Sequence, residues 1–262
     1  MDGPPLQKVA GKMIQQFQNI EQVSSAAVDY IIKITGKAVS EKGFCTMALA
    51  GGRTPKLTYE LMGSIPKSRR MPWQQVHFFW GDERWLPANN PDNNFFMAND
   101  ALFARVPIPH QNIHRIDTGL TNPEKGAEKY EKHLRDFFQG RYPETFKSVA
   151  GDVIVPRFDL ILLGMGTDGH TASLFPGSNL LREKKKWVAA VPHGVGSPAA
   201  ARVTLTLAVL NQAANILFLI AGSRKREILH TILTRPAEAE KIYPAAQIKT
   251  AGNIVWMVAE TD

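Results

Sequence analysis

The stretch Phe158-Asp-Leu-Ile-Leu-Leu-Gly-Met-Gly-Thr-Asp-Gly-His170 runs from an unbroken apolar segment straight into a glycine-rich end. An apolar run this short, closed by glycine, reads as a strand buried on both faces. The same grammar recurs where Cys45–Ala50 stops at Gly51-Gly52, Val76–Trp80 at Gly81, and Ile216–Ala221 at Gly222. Segments of helical spacing lie between these runs. Val9 to about Val39 reads as a helical lead-in closed by Gly43, Pro55 opens a helix carrying Leu57, Leu61 and Met62, and Pro123 to Phe138 is amphipathic and rich in Glu and Lys. Parallel strands need a crossover helix to return the chain, so the expected class is α/β, a doubly wound and mainly parallel sheet with helices on both faces. Further strands are expected at Trp187–Val191, Val203–Leu207 and Ile254–Val258, and Asn89–Asn94 (NNPDNN) is expected to be a polar loop.

Composition narrows the class. The 262 residues fit one α/β sheet, so a single domain spanning 1–262 is expected, and 44% apolar with 21% charged residues excludes disordered and fibrous chains. A formal charge of +7 draws anions and suits phosphorylated substrates or nucleic acid alike. The basic run Arg182-Glu183-Lys184-Lys185-Lys186 is interrupted by an acid and reads as a solvated turn; with no nucleic-acid-binding motif in the chain, no nucleic-acid partner is expected. Cys45 is the lone cysteine, which rules out an intrachain disulfide and a CxxC site and suits a reducing compartment, the cytoplasm. The opening MDGPPLQKVAGKM has no apolar core and no later stretch is apolar enough to span a bilayer, so neither secretion nor a membrane partner is expected.

In open α/β sheets ligands bind beyond the carboxyl ends of the strands, so the strand-end sequences carry the chemistry. In Ala50-Gly51-Gly52-Arg53-Thr54-Pro55, two glycines admit a ligand close to the backbone and Thr54 can cap the helix; the loop is either an anion cradle or a plain capped turn. Trp80-Gly-Asp82-Glu83-Arg84-Trp85 places three charges at a strand end, where Arg84 can clamp a phosphate; the alternative is a surface ion-pair turn. The third end formally contains GxGxxG (Gly164, Gly166, Gly169), but Pro176 and Gly177 break the helix that a dinucleotide site needs, so no such cofactor is expected. What survives there is Asp168 and His170, an imidazole with a carboxylate two residues away at a strand-to-helix turn, suited to general-base chemistry near neutral pH. In Ala221-Gly-Ser-Arg224-Lys225-Arg226, Lys225 or Arg224 can reach the cleft, and Arg202 is either a ligand contact or a surface charge. His110 and His114 have the spacing of a helical metal pair, but Pro107 and Pro109 oppose a helix and no third ligand is evident, so no metal is expected. Cys45 lies inside a strand and no GxSxG elbow exists, which leaves water as the nucleophile.

The segments AGGRTP, FFWGDERWLP, FDLILLGMGTDGHTASLFPGS, RVTLTL and AGSRKREIL, in that order between about Phe44 and Val258, resemble the 6-phosphogluconolactonases. The resemblance implies a Rossmann-like fold shared with the glucosamine-6-phosphate deaminases. It implies hydrolysis of 6-phospho-D-glucono-1,5-lactone to 6-phosphogluconate in the oxidative pentose phosphate pathway, without a cofactor. By it, His170 is the general base on water and Asp168 orients it. Gly51, Gly52, Arg53, Thr54, Arg84, Arg202 and Lys225 surround the phosphate and sugar, Asp82 and Glu83 arrange the loop or water, and a backbone N–H near Gly52 or Gly169 meets the oxyanion. The implied partner is the small phosphorylated lactone alone, with a monomer as the expected state. Deaminase-like sequences carry an acid shortly after the histidine and a tyrosine at the position of Arg84; Thr171–Phe175 has no carboxylate, which favours the lactonase over the deaminase. A sugar-phosphate-binding regulator without turnover is the remaining alternative.

Overall fold

The computed structural model describes residues 7–9, 12–141, 146–149, 153–194, 196 and 198–261, so much of the MDGPPLQKVAGKM segment lies outside it. The chain runs β1 (Gln7–Val9), β2 (Lys12–Phe17), α1 (Ile20–Lys42), β3 (Cys45–Leu49), α2 (Arg53–Met62), α3 (Ile65–Ser68), β4 (Val76–Trp80), β5 (Asp82–Arg84) and α4 (Asn94–Ala101). It continues with α5 (Pro123–Arg141), β6 (Phe146–Val149), β7 (Val153–Pro156), β8 (Leu160–Leu163), β9 (Val188–Val191), β10 (Arg202–Leu205), α6 (Leu207–Leu210), β11 (Asn215–Ile220), α7 (Ser223–Thr234), α8 (Pro236–Ile242) and β12 (Asn253–Ala259).

A seven-stranded sheet has the order β1-β2-β12-β11-β8-β3-β4, parallel except for the β1–β2 pair. Every residue of β3, β4 and β8 is buried, as a sheet covered on both faces requires. The fold is therefore α/β and Rossmann-like. Phe218 and Trp256, register partners on β11 and β12, stack at 3.8 Å with rings 2° apart and fill the centre of one face.

Three expectations change. The lead-in is not one helix from Val9: Lys12–Phe17 forms β2, paired in parallel with Val255–Ala259, and α1 starts only at Ile20, where Asn19 in extended geometry accepts from the Gln22 N–H. Met13, Ile14 and Phe17 fit helical spacing, but the ladder offered by β12 decides their conformation. The strands expected at Trp187–Val191 and Val203–Leu207 exist but leave the main sheet: β5, β10 and β9 form a separate antiparallel sheet. Asp82–Arg84 is consequently a strand, not a surface ion-pair turn. The β6–β7 hairpin had no expected counterpart. Among the described residues no helix is long and apolar enough to cross a membrane.

Candidate active site

From β3 the chain steps to β4 on one side, whereas β8, β11 and β12 follow on the other, so the strand order reverses between β3 and β8. A crevice opens at such a reversal, beyond the carboxyl ends of the strands. The turns after β3, β8 and β11, three neighbouring strands, converge there.

After β3, Gly52 is the N-cap of α2 at φ +107, a conformation that favours glycine, and it contributes no side-chain hydrogen bond. Arg53 and Thr54 fall inside the first helical turn, so Thr54 is not the cap expected of it. The N–H groups of that turn have no intrahelical acceptors and present a partial positive charge. Tyr59 fixes the strand end from below, its hydroxyl donating to the Ala50 carbonyl (2.8 Å) and accepting the Ala50 N–H (3.0 Å).

After β8 no helix follows. The chain makes a β-turn through Thr167 and Asp168 and a bridge between Thr171 and Leu174, with Ala172 at φ +47. Asp168 and His170 therefore sit on a looped strand end and not at a helix N-terminus. Here the glycines of the apparent dinucleotide motif have a different use. A Cβ on Gly166 would overlap the His170 Nδ1 and come within 2.6 Å of the Asp168 Oδ1, and one on Gly169 (φ +80) would overlap the Tyr243 ring. The Gly166 N–H donates to the His170 carbonyl at 2.9 Å and the Gly169 N–H to the Gly166 carbonyl at 3.0 Å. The latter is thereby spent, which removes Gly169 as an oxyanion donor.

His170 Nδ1 lies 2.6 Å from Asp168 Oδ1, which also accepts the His170 N–H at 3.1 Å. Burial opposes ionisation of Asp168, but the amide and the imidazole of His170 outweigh it and hold the carboxyl below its ordinary value. A carboxylate on Nδ1 keeps the proton there and leaves the Nε2 lone pair free. The imidazole packs on Phe175 at 4.5 Å between ring centroids, and the guanidinium of Arg202 lies 5.7 Å from the centre of the same Phe175 ring.

Arg202 on β10 is the direct register partner of Arg84 on β5. Arg202 is only 3% exposed and donates from Nη2 to the Pro198 carbonyl (2.9 Å), while Arg84 donates from Nη1 to the Asp92 carbonyl (2.9 Å). The buried Nε of each has no acceptor, and neither forms an ion pair among the described residues. Burial lowers the pKa of Arg202, Asp82 and Glu83 counter it, and Arg84 adds to it; the guanidinium nevertheless stays charged. Asp82 accepts from the Ser173 hydroxyl at 2.6 Å, tying β5 to the loop that carries His170. Glu83, 1% exposed, accepts the N–H groups of Arg84, Asn94 and Phe95 and so anchors the start of α4. Its bonds run into the scaffold, to its own strand and the start of α4.

Lys225, half-buried in the first turn of α7, follows Gly222 at φ +104; Arg224 points outward to Glu227. His110 and His114 do not form a helical pair: His110 is exposed, and His114 is joined to His77 (3.1 Å) and His133 (2.8 Å). Cys45 is fully buried and its thiol is pushed up by burial, with the Asp159 charge adding. A groove of about 1420 Å³ between α1 and strands β2 and β12 contains none of the site residues; unpaired charge, not volume, marks the crevice. Sequence reasoning missed Ser173, Tyr243 and Asn94, whose positions become informative only when the loops meet.

The sequence pattern of the glucosamine-6-phosphate isomerases/6-phosphogluconolactonase family matches residues 18–256, and the chain belongs to that family. Within it the chain is similar to 6-phosphogluconolactonases. That of Synechocystis sp. is 39% identical over 236 residues, covering 90% of each chain, and that of Nostoc sp. is 35% identical over 247 residues, covering 94% of this chain and 95% of the relative. The crystal structure of 6-phosphogluconolactonase from Thermotoga maritima superposes with a TM-score of 0.76 at 33% identity, over 94% of this chain and 99% of that one.

Proposed function

We propose that the chain is a 6-phosphogluconolactonase that hydrolyses 6-phospho-D-glucono-1,5-lactone to 6-phosphogluconate, with His170 as the general base. The observation that carries this reading is the Asp168–His170 pair at 2.6 Å, set beside two guanidiniums that form no ion pair among the described residues. Nε2 takes a proton from water as its oxygen attacks the lactone carbonyl carbon. The tetrahedral oxyanion then collapses, the bond from that carbon to the ring oxygen breaks, and the imidazolium returns its proton to the ring oxygen. Asp168 holds the tautomer and balances the imidazolium.

Arg84 and Arg202, with the first N–H groups of α2 at Gly52, Arg53 and Thr54, bind the phosphate, and Lys225 approaches the sugar from the neighbouring strand end. The same proposal assigns the protein to the oxidative pentose phosphate pathway in the cytoplasm, acting as a monomer on a small-molecule substrate; the single buried thiol of Cys45 supports a reducing compartment.

The test is a coupled assay that generates the lactone in place and follows its loss above the spontaneous rate. Hydrolysis accelerated by the protein supports the proposal. No acceleration by folded protein, or ammonia release from glucosamine 6-phosphate, overturns it in favour of a sugar-phosphate regulator or a deaminase respectively.

A further inference from the structure

We propose that Asn94 is a positioning residue of the phosphate cradle, a wedge that sets the spacing between the Gly51-Gly52 turn and the strand carrying Arg84. The inference rests on the reading of Gly51-Gly52 as that cradle.

Asn94 opens α4 and is 1% exposed. Its backbone N–H donates to Glu83 Oε1 at 2.6 Å and its side-chain Nδ2 donates to the Asp82 carbonyl at 2.9 Å, so both ends of the residue are tied to β5. The carboxamide crosses from there to the turn after β3. A Cβ on Gly51 would overlap its Oδ1 and lie 2.7 Å from its Cγ. Gly51 is not among the positive-φ glycines, unlike Gly52 at φ +107, so its backbone does not require glycine. What requires it is the Asn94 carboxamide lying against its Cα. The Oδ1 is buried and has no hydrogen-bond partner, a cost that hydrogen bonding within the fold does not offset. An apolar side chain of similar size would fill the space without that orphan acceptor, but would lose the bond to Asp82.

One phosphate has to meet the α2 N-terminus and the Arg84 guanidinium together, and these arrive on separate elements, the turn after β3 and strand β5. The Asn94 side chain touches both the Gly51 turn and β5, so a change in it moves phosphate affinity and leaves the His170 turn in place.

The test measures KM, kcat and the dissociation constant of inorganic phosphate for wild type, Asn94→Ala, Gly51→Ala and the double variant, each checked for folding by near-UV circular dichroism. Asn94→Ala is expected to raise KM and the phosphate constant about tenfold with kcat within about threefold, a loss of ground-state binding alone. Gly51→Ala is expected to do the same or worse, and the double variant to recover part of the loss because the new methyl enters the vacated space, a non-additivity that independent sites do not produce. Unchanged KM in Asn94→Ala, or strictly additive losses in the double variant, overturns the inference. If Gly51→Ala weakens phosphate while Asn94→Ala does not, only the wedge fails; if neither does, the cradle reading fails with it. Should Asn94→Ala not fold, Asn94→Ser, which also withdraws the carboxamide from Gly51, is judged by the same criteria.

Discussion

Arg84 and Arg202 face each other across the β5–β10 ladder, two guanidiniums in register, each with a buried Nε that meets no acceptor and neither with an ion pair among the described residues. Like charges directly opposite on a sheet repel, here with Asp82 and Glu83 offsetting the repulsion felt by Arg202, and a bound anion would add a counter-charge to both guanidiniums.

Replacing Arg202 by Met should leave thermal stability no higher in the absence of anions, because Asp82 and Glu83 lose a counter-charge and the Pro198 carbonyl a donor. It should abolish the stabilisation that inorganic phosphate gives the wild type and raise KM by about tenfold or more, with kcat less affected. Thermal melts across a phosphate series, paired with steady-state kinetics, check both halves. An unchanged phosphate response would remove Arg202 from the site.

Glu83 yields a prediction about pH. Burial pushes its carboxyl from 4.5 up to about 8, Asp82 adding to the rise and the N–H groups of Asn94, Phe95 and Arg84 opposing it. Between these values the folded chain holds a proton that the unfolded chain has released. This contribution is complete below 4.5 and is lost as pH rises through about 8. Glu83→Gln cannot release that proton, so the fall in stability between pH 5 and 8 should become shallower by at most about 1.4 kcal/mol per pH unit, whatever the variant's absolute stability. Denaturant titrations at several pH values measure the slope, and an identical slope would contradict the raised carboxyl.

Gly166 leaves no room for a methyl group beside His170 and Asp168. Gly166→Ala should displace the imidazole and lower kcat by about 10²-fold while the sheet and the phosphate affinity persist, since the substitution touches the turn and not the strands. Kinetics together with a phosphate titration separate this outcome from unfolding.

Asp168→Asn keeps the size of the partner on Nδ1 but turns it into a donor. The imidazole then carries its proton on Nε2 and has no lone pair to offer water. A kcat loss of about 10²- to 10⁴-fold is expected, on the pattern of tautomer reversal in catalytic triads. Activity near wild type would show that Asp168 does not set the tautomer.

The parallel core was legible because β3, β4 and β8 are buried on both faces and their sequences are unbroken apolar runs ending in glycine. The strand-end residues were legible for the same reason, since a glycine turn with polar side chains after such a run lies where an open α/β sheet binds its ligand. Local spacing failed where a distant strand decides the outcome. Met13, Ile14 and Phe17 carry a helical pattern yet pair with β12 from the far end of the chain, and Asp82–Arg84 became a strand only because β10 arrives beside it. Asn94 reads as the end of a turn-rich loop, and nothing in its neighbourhood announces the contact with Gly51, 43 positions earlier. The role of Gly166 and Gly169 was hidden for a related reason, because their motif resembles a phosphate fingerprint whereas the space they leave is taken by His170 and Tyr243.

The most direct measurement compares wild type and His170→Ala in the coupled lactone assay, with phosphate binding measured on the same preparations. The expected result is acceleration above the spontaneous rate by the wild type, a loss of at least about 10²-fold in kcat for the variant, and phosphate affinity preserved in both. Comparable turnover by the folded variant would contradict the assignment of His170 as the base.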